Sequence, residues 1–189
     1  MRQGRVEVIA GPMFAGKSEE LLRRVRRAVI AGRRVEVFTH RLDVRRGADR
    51  ISSHAGAGHP ARSAATAAEI EAEIEAMADP AADLVAVDEA QFFGPDLAEV
   101  ADRLAVRGAV VVVAGLDVTF DRRPFEPMPS LMALAEHVTK LTAICLVCGN
   151  DAIFHERVTQ VDGSATDVVA EHVGGEDKYQ ARCRVHVRR

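Results

Sequence analysis

The stretch Gly-Pro-Met-Phe-Ala-Gly-Lys-Ser at positions 11–18 constrains the fold more than any other part of the chain. It follows the pattern G-x-x-x-x-G-K-[ST], and it lies between an apolar run at residues 6–10 and a helical pattern that begins at Lys17. Glycine at its two fixed positions allows a tight turn whose backbone N–H groups point inward at a phosphate. The sequence therefore predicts a strand, a phosphate-binding loop and a helix, with a nucleoside triphosphate as ligand.

Short apolar runs rich in β-branched residues alternate with helical patterns along the rest of the chain. The predicted strands are residues 6–10, 35–39, 84–87 and 110–114, and the predicted helices are residues 17–31, 66–77, 96–105 and 130–137. This alternation predicts a doubly wound parallel α/β sheet of the P-loop NTPase type, with ligands at the C-terminal ends of the strands. Residues 41–60 show no apolar period and are rich in Gly, Arg, His and Ser, so we expect an exposed loop there.

The three cysteines of the chain fall in one arrangement. Cys145 and Cys148 form a C-x₂-C pair, and Cys183 and His186 form a C-x₂-H pair after an insert at residues 149–182. Two such pairs suit a closed tetrahedral site, so the pattern predicts a structural zinc ion with Cys₃His ligands. An odd number of cysteines in a reducing compartment does not suggest disulfides.

The strand and helix alternation stops near residue 140, which predicts two domains. Residues 1–140 would form the nucleotide-binding α/β domain, and residues 141–189 would form a small zinc-binding domain. The hydrophobic content of 48% and the charged content of 28% are typical of a soluble globular protein. The apolar runs are far shorter than a membrane span and the N-terminus has no signal-peptide core, so we expect a cytoplasmic protein.

Two acids, Asp88 and Glu89, directly follow the strand predicted at residues 84–87. An aspartate there holds Mg²⁺ together with the Ser18 hydroxyl, while Lys17 and the loop amides neutralise the phosphates. Glu89 stands beside the metal ligand and can accept a proton from an attacking hydroxyl. From the residues alone that hydroxyl belongs either to water, in an ATPase, or to a substrate, in a kinase, and a purely capping role for Glu89 also stays open.

Aromatic residues follow two of the predicted strands, in a chain with seven Phe and no Trp. Phe92 and Phe93 follow the two acids, and Phe120 comes shortly after the run at residues 110–114. These rings either stack on a planar base or belong to the ordinary core, and the sequence leaves both interpretations open.

A set of motifs resembles the zinc-containing, cellular type (type II) of the thymidine kinase family, from about residue 5 to residue 186. The motifs are the loop at 11–18 with Glu-Glu-Leu after it, Asp-Glu-Ala-Gln-Phe-Phe at 88–93, Gly-Leu-Asp at 115–117, Pro-Phe at 124–125, and Gly-Gly-Glu-Asp-Lys-Tyr at 174–179 ahead of Cys-Arg at 183–184. The combination of the second and the last of these motifs is far more specific than the phosphate loop alone.

The resemblance implies transfer of the ATP γ-phosphate to the 5′-hydroxyl of thymidine in nucleotide salvage for DNA synthesis. It implies ATP, Mg²⁺ and a structural Zn²⁺, a homotetramer, and feedback inhibition by the end-product triphosphate, without a nucleic-acid or membrane partner. The implied catalytic residues are Glu89, Lys17 and Arg45. The implied ATP and Mg²⁺ contacts are Gly11, Pro12, Met13, Phe14, Ala15, Gly16, Lys17, Ser18, Asp88, Glu89, Ala90 and Gln91. The implied nucleoside contacts are Met13, Phe92, Leu116, Phe120, His155 and Tyr179, with the insert between the zinc pairs closing over the nucleoside as a lasso.

Three positions depart from the family pattern. Arg46 stands where an aromatic residue usually follows the Asp-x-Arg element at 43–45, and Glu126 replaces a common glycine. His155 occupies a lasso position where a small hydroxyl residue is expected against the base.

Two other functions are to be weighed against a thymidine kinase. A zinc-ribbon ATPase that binds nucleic acid is disfavoured by the net charge of −3 and by the acidic insert. A kinase for another hydroxyl acceptor, such as deoxycytidine, is disfavoured because a pocket built for thymine would leave polar groups unpaired against cytosine.

Overall fold

The computed structural model describes residues 3–42, 50–52, 58–77, 82–158 and 178–188. Its strands are β1 (Arg5–Gly11), β2 (Val35–His40), β3 (Arg50–Ser52), β4 (Gly58–Pro60), β5 (Arg62–Ala64), β6 (Leu84–Val87), β7 (Val110–Leu116), β8 (His137–Lys140), β9 (Ala143–Ile144), β10 (Asp151–Ala152), β11 (Phe154–Arg157) and β12 (Tyr179–Arg182). Its helices are α1 (Lys17–Ile30), α2 (Ala67–Glu75), α3 (Asp96–Val106) and α4 (Met128–Leu134), with a 3₁₀ turn at Ala90–Phe92.

Six of these strands form a parallel sheet in the order β5-β2-β6-β7-β1-β8. The inner strands β6 and β7 are buried along their whole length, because helices cover both faces of the sheet. Side chains alternate between the faces, so that Val111 and Val113 of β7 pack toward α2, α3 and α4 while Val110 and Val112 pack toward α1. The predicted doubly wound α/β fold is confirmed.

The four predicted strands are confirmed, and the edge strands β5 and β8 are additional to them. The fourth predicted helix is wrong at its C-terminal end: α4 ends at Leu134, and His137 begins β8. The exposed loop predicted for residues 41–60 is also wrong in part, because β3 and β4 pair there as an antiparallel hairpin. Ile51 of that hairpin is 3% exposed and packs with α1, so this buried side chain anchors the hairpin although the sequence there has no apolar period.

Helix α1 is held to the sheet by charged side chains as well as by its apolar face. Arg24 donates to Glu7 of β1 at 2.6 Å and to the Thr139 hydroxyl of β8 at 2.8 Å. Glu20 accepts hydrogen bonds from Arg23 and Arg24, and the bond from Arg23 is the main reason that its pKa is lowered to about 2. The contacts of Arg24 therefore join α1 to β1 and β8.

A smaller unit follows the sheet. Strands β9 and β10 pair antiparallel, as do β11 and β12, and β12 contacts both β9 and β10. In the described ranges, no helix is both long enough and apolar enough to cross a membrane.

Candidate active site

The loop at residues 11–18 has the backbone that its glycines predict. A Cβ at Gly11 would lie 2.6 Å from the carbonyl oxygen of Leu141, so a side chain there would displace the segment after β8. Gly16, at φ 81°, is the residue before α1, and Phe14 takes a left-handed φ of 67° that non-glycine residues rarely adopt. Lys17 begins α1 and its ammonium donates to the Pro12 carbonyl at 2.7 Å, so the charge lies over the loop. The loop is therefore a tight turn that leads directly into the N-terminus of α1.

The two acids lie at the C-terminal end of β6, on the same edge of the sheet as the loop. Asp88 is buried, and its Oδ1 accepts the backbone N–H of Glu89 at 3.0 Å. Glu89 takes a left-handed backbone conformation, φ 53°, at the start of the 3₁₀ turn. Its Oε2 accepts a hydrogen bond from the side-chain NH₂ of Gln91 at 2.6 Å. The side-chain oxygen of Gln91, Oε1, accepts the backbone N–H of Leu116 at 2.9 Å. Both carboxylates are therefore held close to the strand ends.

His40, which the sequence analysis did not single out, packs directly behind this turn. Its ring lies edge-on to Phe93, with centroids 4.7 Å apart, and tilted against Phe92 at 5.8 Å. Its Nδ1 accepts the backbone N–H of Leu42 at 3.1 Å, so its Nε2 carries the proton that is donated to the Ala65 carbonyl at 3.0 Å. Burial lowers the pKa of His40, which keeps the imidazole neutral. The only sequence signal for it is its place at the end of a buried strand.

Beside the loop, Met13, Leu116 and Tyr179 form a small buried apolar cluster. Partly buried phenylalanines complete it: Phe14, Phe120 and Phe125. Three of the residues implied for the nucleoside pocket thus come together from the loop, from the end of β7 and from the start of β12.

Of the other three residues implied for the nucleoside pocket, His155 and Phe120 adjoin this cluster and Phe92 lies elsewhere. His155 is fully buried, and its ring packs edge-on to Tyr179 with centroids 5.7 Å apart. Phe120 packs against the cluster and carries the Arg157 guanidinium 5.9 Å from its ring centroid. Phe92 lies instead against His40, outside the cluster. Arg45 and the lasso residues 159–177 lie outside the described residues.

The four predicted zinc ligands converge. The Sγ atoms of Cys145, Cys148 and Cys183 and a ring nitrogen of His186 all lie within 4.8 Å of one another. The Sγ atoms of Cys148 and Cys183 are 3.8 Å apart, and the Nδ1 of His186 lies 3.3 Å from Cys183 and 3.8 Å from Cys145. Thiolates at about 2.3 Å from a tetrahedral zinc ion are about 3.8 Å apart, so the donor atoms fit that ion in number, kind and spacing.

The small unit formed by β9–β12 packs directly on the loop at residues 11–18. Its small core joins Cys145 and Cys183 to three alanines, and Phe14 and Ala15 of the loop pack against that core. The Cys₃His cluster and the loop are therefore joined by apolar packing, although more than a hundred residues separate them in the sequence.

The chain is an α/β protein whose candidate site lies where the strands of a parallel sheet end, with a Cys₃His cluster that fits a zinc ion packed against it. The family described as thymidine kinase matches residues 4–187. A thymidine kinase of Deinococcus deserti is 44% identical over a match of 189 positions that covers 97% of this chain and 94% of that protein. One from Halobacterium salinarum is 46% identical over 96% of this chain and 92% of its own length, and one from a Rhodothermus species is 47% identical over 96% and 80%. The chain belongs to the thymidine kinase family.

Proposed function

We propose that this chain is a kinase that transfers the γ-phosphate of ATP to the 5′-hydroxyl of thymidine. Its family and its relatives named thymidine kinase support this activity over nearly the whole chain. The structural observation that carries the proposal is the cluster of Met13, Leu116 and Tyr179. Because Met13 is itself part of the phosphate-binding loop, the acceptor pocket that we assign to this cluster borders the site of the donor phosphates.

The chemistry that we assign to the chain needs one proton acceptor and several positive charges. Glu89 accepts the proton of the 5′-hydroxyl as the O5′–P bond forms and the bond from Pγ to the bridging oxygen breaks, which releases ADP. Lys17 and the loop N–H groups stabilise the negative charge on the phosphate oxygens during that transfer. We propose the same for Arg45, whose position lies outside the described residues.

The oxygen ligands that we propose for Mg²⁺ are the Asp88 carboxylate and the Ser18 hydroxyl. Asp88 directly follows β6 and Ser18 lies in the first turn of α1, and both offer the hard oxygen atoms that this ion prefers. A bound Mg²⁺ supplies charge neutralisation at the β- and γ-phosphates.

The remaining proposals follow the family resemblance. Zinc at the four converged ligands holds the two ends of residues 149–182, and so lowers the closure entropy of a lasso over the nucleoside. We propose residues 141–189 as the unit that carries this lasso. We also propose a cytoplasmic homotetramer that acts in nucleotide salvage and is inhibited by its end-product triphosphate.

Purified protein incubated with ATP, Mg²⁺ and thymidine tests the proposal. We expect ADP and thymidine 5′-monophosphate in equal amounts, with ³¹P NMR placing the phosphate on the 5′-oxygen. A parallel reaction with single-stranded DNA and no nucleoside tests the zinc-ribbon ATPase. ADP release that depends on DNA, without phosphorylation of thymidine, would contradict the kinase.

A further inference from the structure

The side chain of Gln91 connects two segments at the base of the candidate site. It is 4% exposed, and its amide makes two hydrogen bonds: one to the Glu89 carboxylate at 2.6 Å and one from the backbone N–H of Leu116 at 2.9 Å. A backbone N–H can only donate, so the amide oxygen must face Leu116 and the NH₂ group must face Glu89. The bonding pattern therefore fixes the orientation of the amide.

The packing around Gln91 leaves its side chain little freedom to move. A Cβ at Gly115 would lie 2.9 Å from the Gln91 Oε1 and 2.7 Å from the Met128 sulfur, closer than real contacts allow. Glycine at 115 thus makes room for the amide against the end of β7. Since β7 is an inner strand buried along its whole length, the amide is attached to one of the most rigid parts of the sheet.

The Gln91 side chain is bonded to the end of β7. Glu89 directly precedes the three-residue 3₁₀ turn that contains Gln91, and its side chain has three rotatable bonds. A carboxylate on such a side chain samples several rotamers unless a second group holds one of its oxygens. Gln91 donates such a hydrogen bond to the Glu89 Oε2, and its own oxygen is bonded to Leu116 at the end of β7. The Glu89 carboxylate is thereby held at a fixed place relative to β7.

We propose that Gln91 is a positioning residue that holds the Glu89 carboxylate in the orientation from which it accepts the proton of the acceptor hydroxyl. The proposal rests on the proposed function, in which Glu89 is the base. It gives Gln91 a role separate from the contact with ATP or Mg²⁺ that the family resemblance implies, because both ends of its amide are already bonded within the protein. Loss of the contact should therefore lower kcat while leaving the KM for ATP unchanged.

The variant Q91E keeps one of the two hydrogen bonds of the side chain and removes the other. The introduced carboxyl still accepts the Leu116 N–H, but it presents a second carboxylate oxygen to Glu89 in place of a donor. We expect kcat to fall about 10²-fold, the cost of misplacing a reacting group by about 1 Å. As the pH is lowered, the introduced carboxyl takes up a proton and can donate to Glu89, so the ratio of the Q91E kcat to the wild-type kcat should rise. A purely structural role predicts no such pH-dependent recovery.

Two further variants separate positioning from stability. Q91M keeps the length of the side chain and removes both bonds, so it should show the low kcat without recovery at low pH. T66A removes the hydroxyl that caps α2 by accepting the Glu69 N–H at 3.2 Å, so it should lower Tm and leave kcat unchanged. If Q91M does not fold, Q91E and T66A still decide the question.

The wild type is assayed with thymidine first. If it forms no 5′-monophosphate, the proposed function fails and this proposal fails with it. If the wild type is active and Q91E keeps the wild-type kcat, or loses kcat by the same factor at every pH, the positioning role alone is overturned.

Discussion

Asp117 and Lys140 form an ion pair across the C-terminal end of β1, with the Lys140 Nζ 2.7 Å from an Asp117 oxygen. Asp117 directly follows β7 and Lys140 ends β8, and β1 lies between these two strands in the sheet. The loop at residues 11–18 starts at that point, since β1 ends at Gly11. The ion pair therefore ties together the two strands that flank the root of the loop.

Loss of Lys140 should reduce the stability of the fold more than loss of Asp117 does. The Asp117 side chain is 4% exposed whereas the Lys140 side chain is 49% exposed, so K140M leaves a buried carboxylate uncompensated and D117N leaves a cation that water can reach. We expect K140M to reduce the free energy of unfolding by about 1–3 kcal/mol and D117N by less than about 1 kcal/mol. Urea unfolding of both variants and of the double variant measures this. Equal losses would contradict the burial argument.

E89Q should remove most turnover and leave ATP binding nearly intact. The introduced amide still offers an oxygen that can accept the Gln91 N–H, so the turn keeps its hydrogen bond while the base is lost. We expect kcat to fall by roughly 10²–10⁴-fold, the usual contribution of a general base. Steady-state kinetics and calorimetric titration with ATP measure the two effects, and E99Q on the exposed side of α3 is the control. Near-normal turnover in E89Q would refute the assignment of the base.

Much of the fold follows from the sequence because the inner strands carry their own signal. β6 and β7 are continuous apolar runs, as strands covered on both faces must be. The edge strands β5 and β8 are short and largely polar. An edge strand pairs with one neighbour only and lies partly in solvent. Its residues therefore need not be apolar, and no apolar pattern marks it in the sequence.

The candidate site also contains residues that the sequence marks and contacts that it does not mark. The loop, Glu89 and the zinc ligands are predictable because their chemistry is written in short local patterns. The bonds from His40 to Ala65 and from Leu116 to Gln91 each join residues 25 positions apart, and no local pattern records such a pairing. These supporting contacts form because the sheet brings the ends of β2, β5, β6 and β7 to one edge.

The purified protein should contain one zinc ion per chain, bound by the Cys₃His cluster. C148S removes one thiolate ligand, so we expect loss of the zinc and a lower Tm, because metal binding contributes directly to the folding of such sites. V147S is the matched control, since Val147 is an exposed neighbour on the same turn and offers no ligand. Elemental analysis and thermal unfolding check both variants. Metal-free wild type, or C148S with a full complement of zinc, would contradict the assignment.

His40 should make the stability of the protein fall as the solution becomes mildly acidic. Burial lowers its pKa below the ordinary value of 6.5, so under mild acid the unfolded chain binds a proton that the folded chain resists. Its contribution is therefore complete above pH 6.5 and is lost as the pH falls below that value toward the lowered pKa.

H40N isolates this effect, because an asparagine oxygen can still accept the Leu42 N–H but does not titrate. Urea unfolding between about pH 7.5 and 5.5 should give H40N a shallower loss of stability than the wild type. The other histidines are common to both proteins and cancel in the comparison. Identical slopes would show that His40 is not kept neutral by the fold.

Thymidine is the acceptor that we propose for the cluster of Met13, Leu116 and Tyr179 beside the loop at residues 11–18. The most direct measurement is a competition in which the wild-type protein, ATP and Mg²⁺ are mixed with equal concentrations of thymidine and deoxycytidine. Mass spectrometry of the early products should show thymidine 5′-monophosphate in large excess, since a pocket fitted to thymine leaves polar groups unpaired against cytosine. Predominant phosphorylation of deoxycytidine, or consumption of ATP with neither nucleoside phosphorylated, would contradict it.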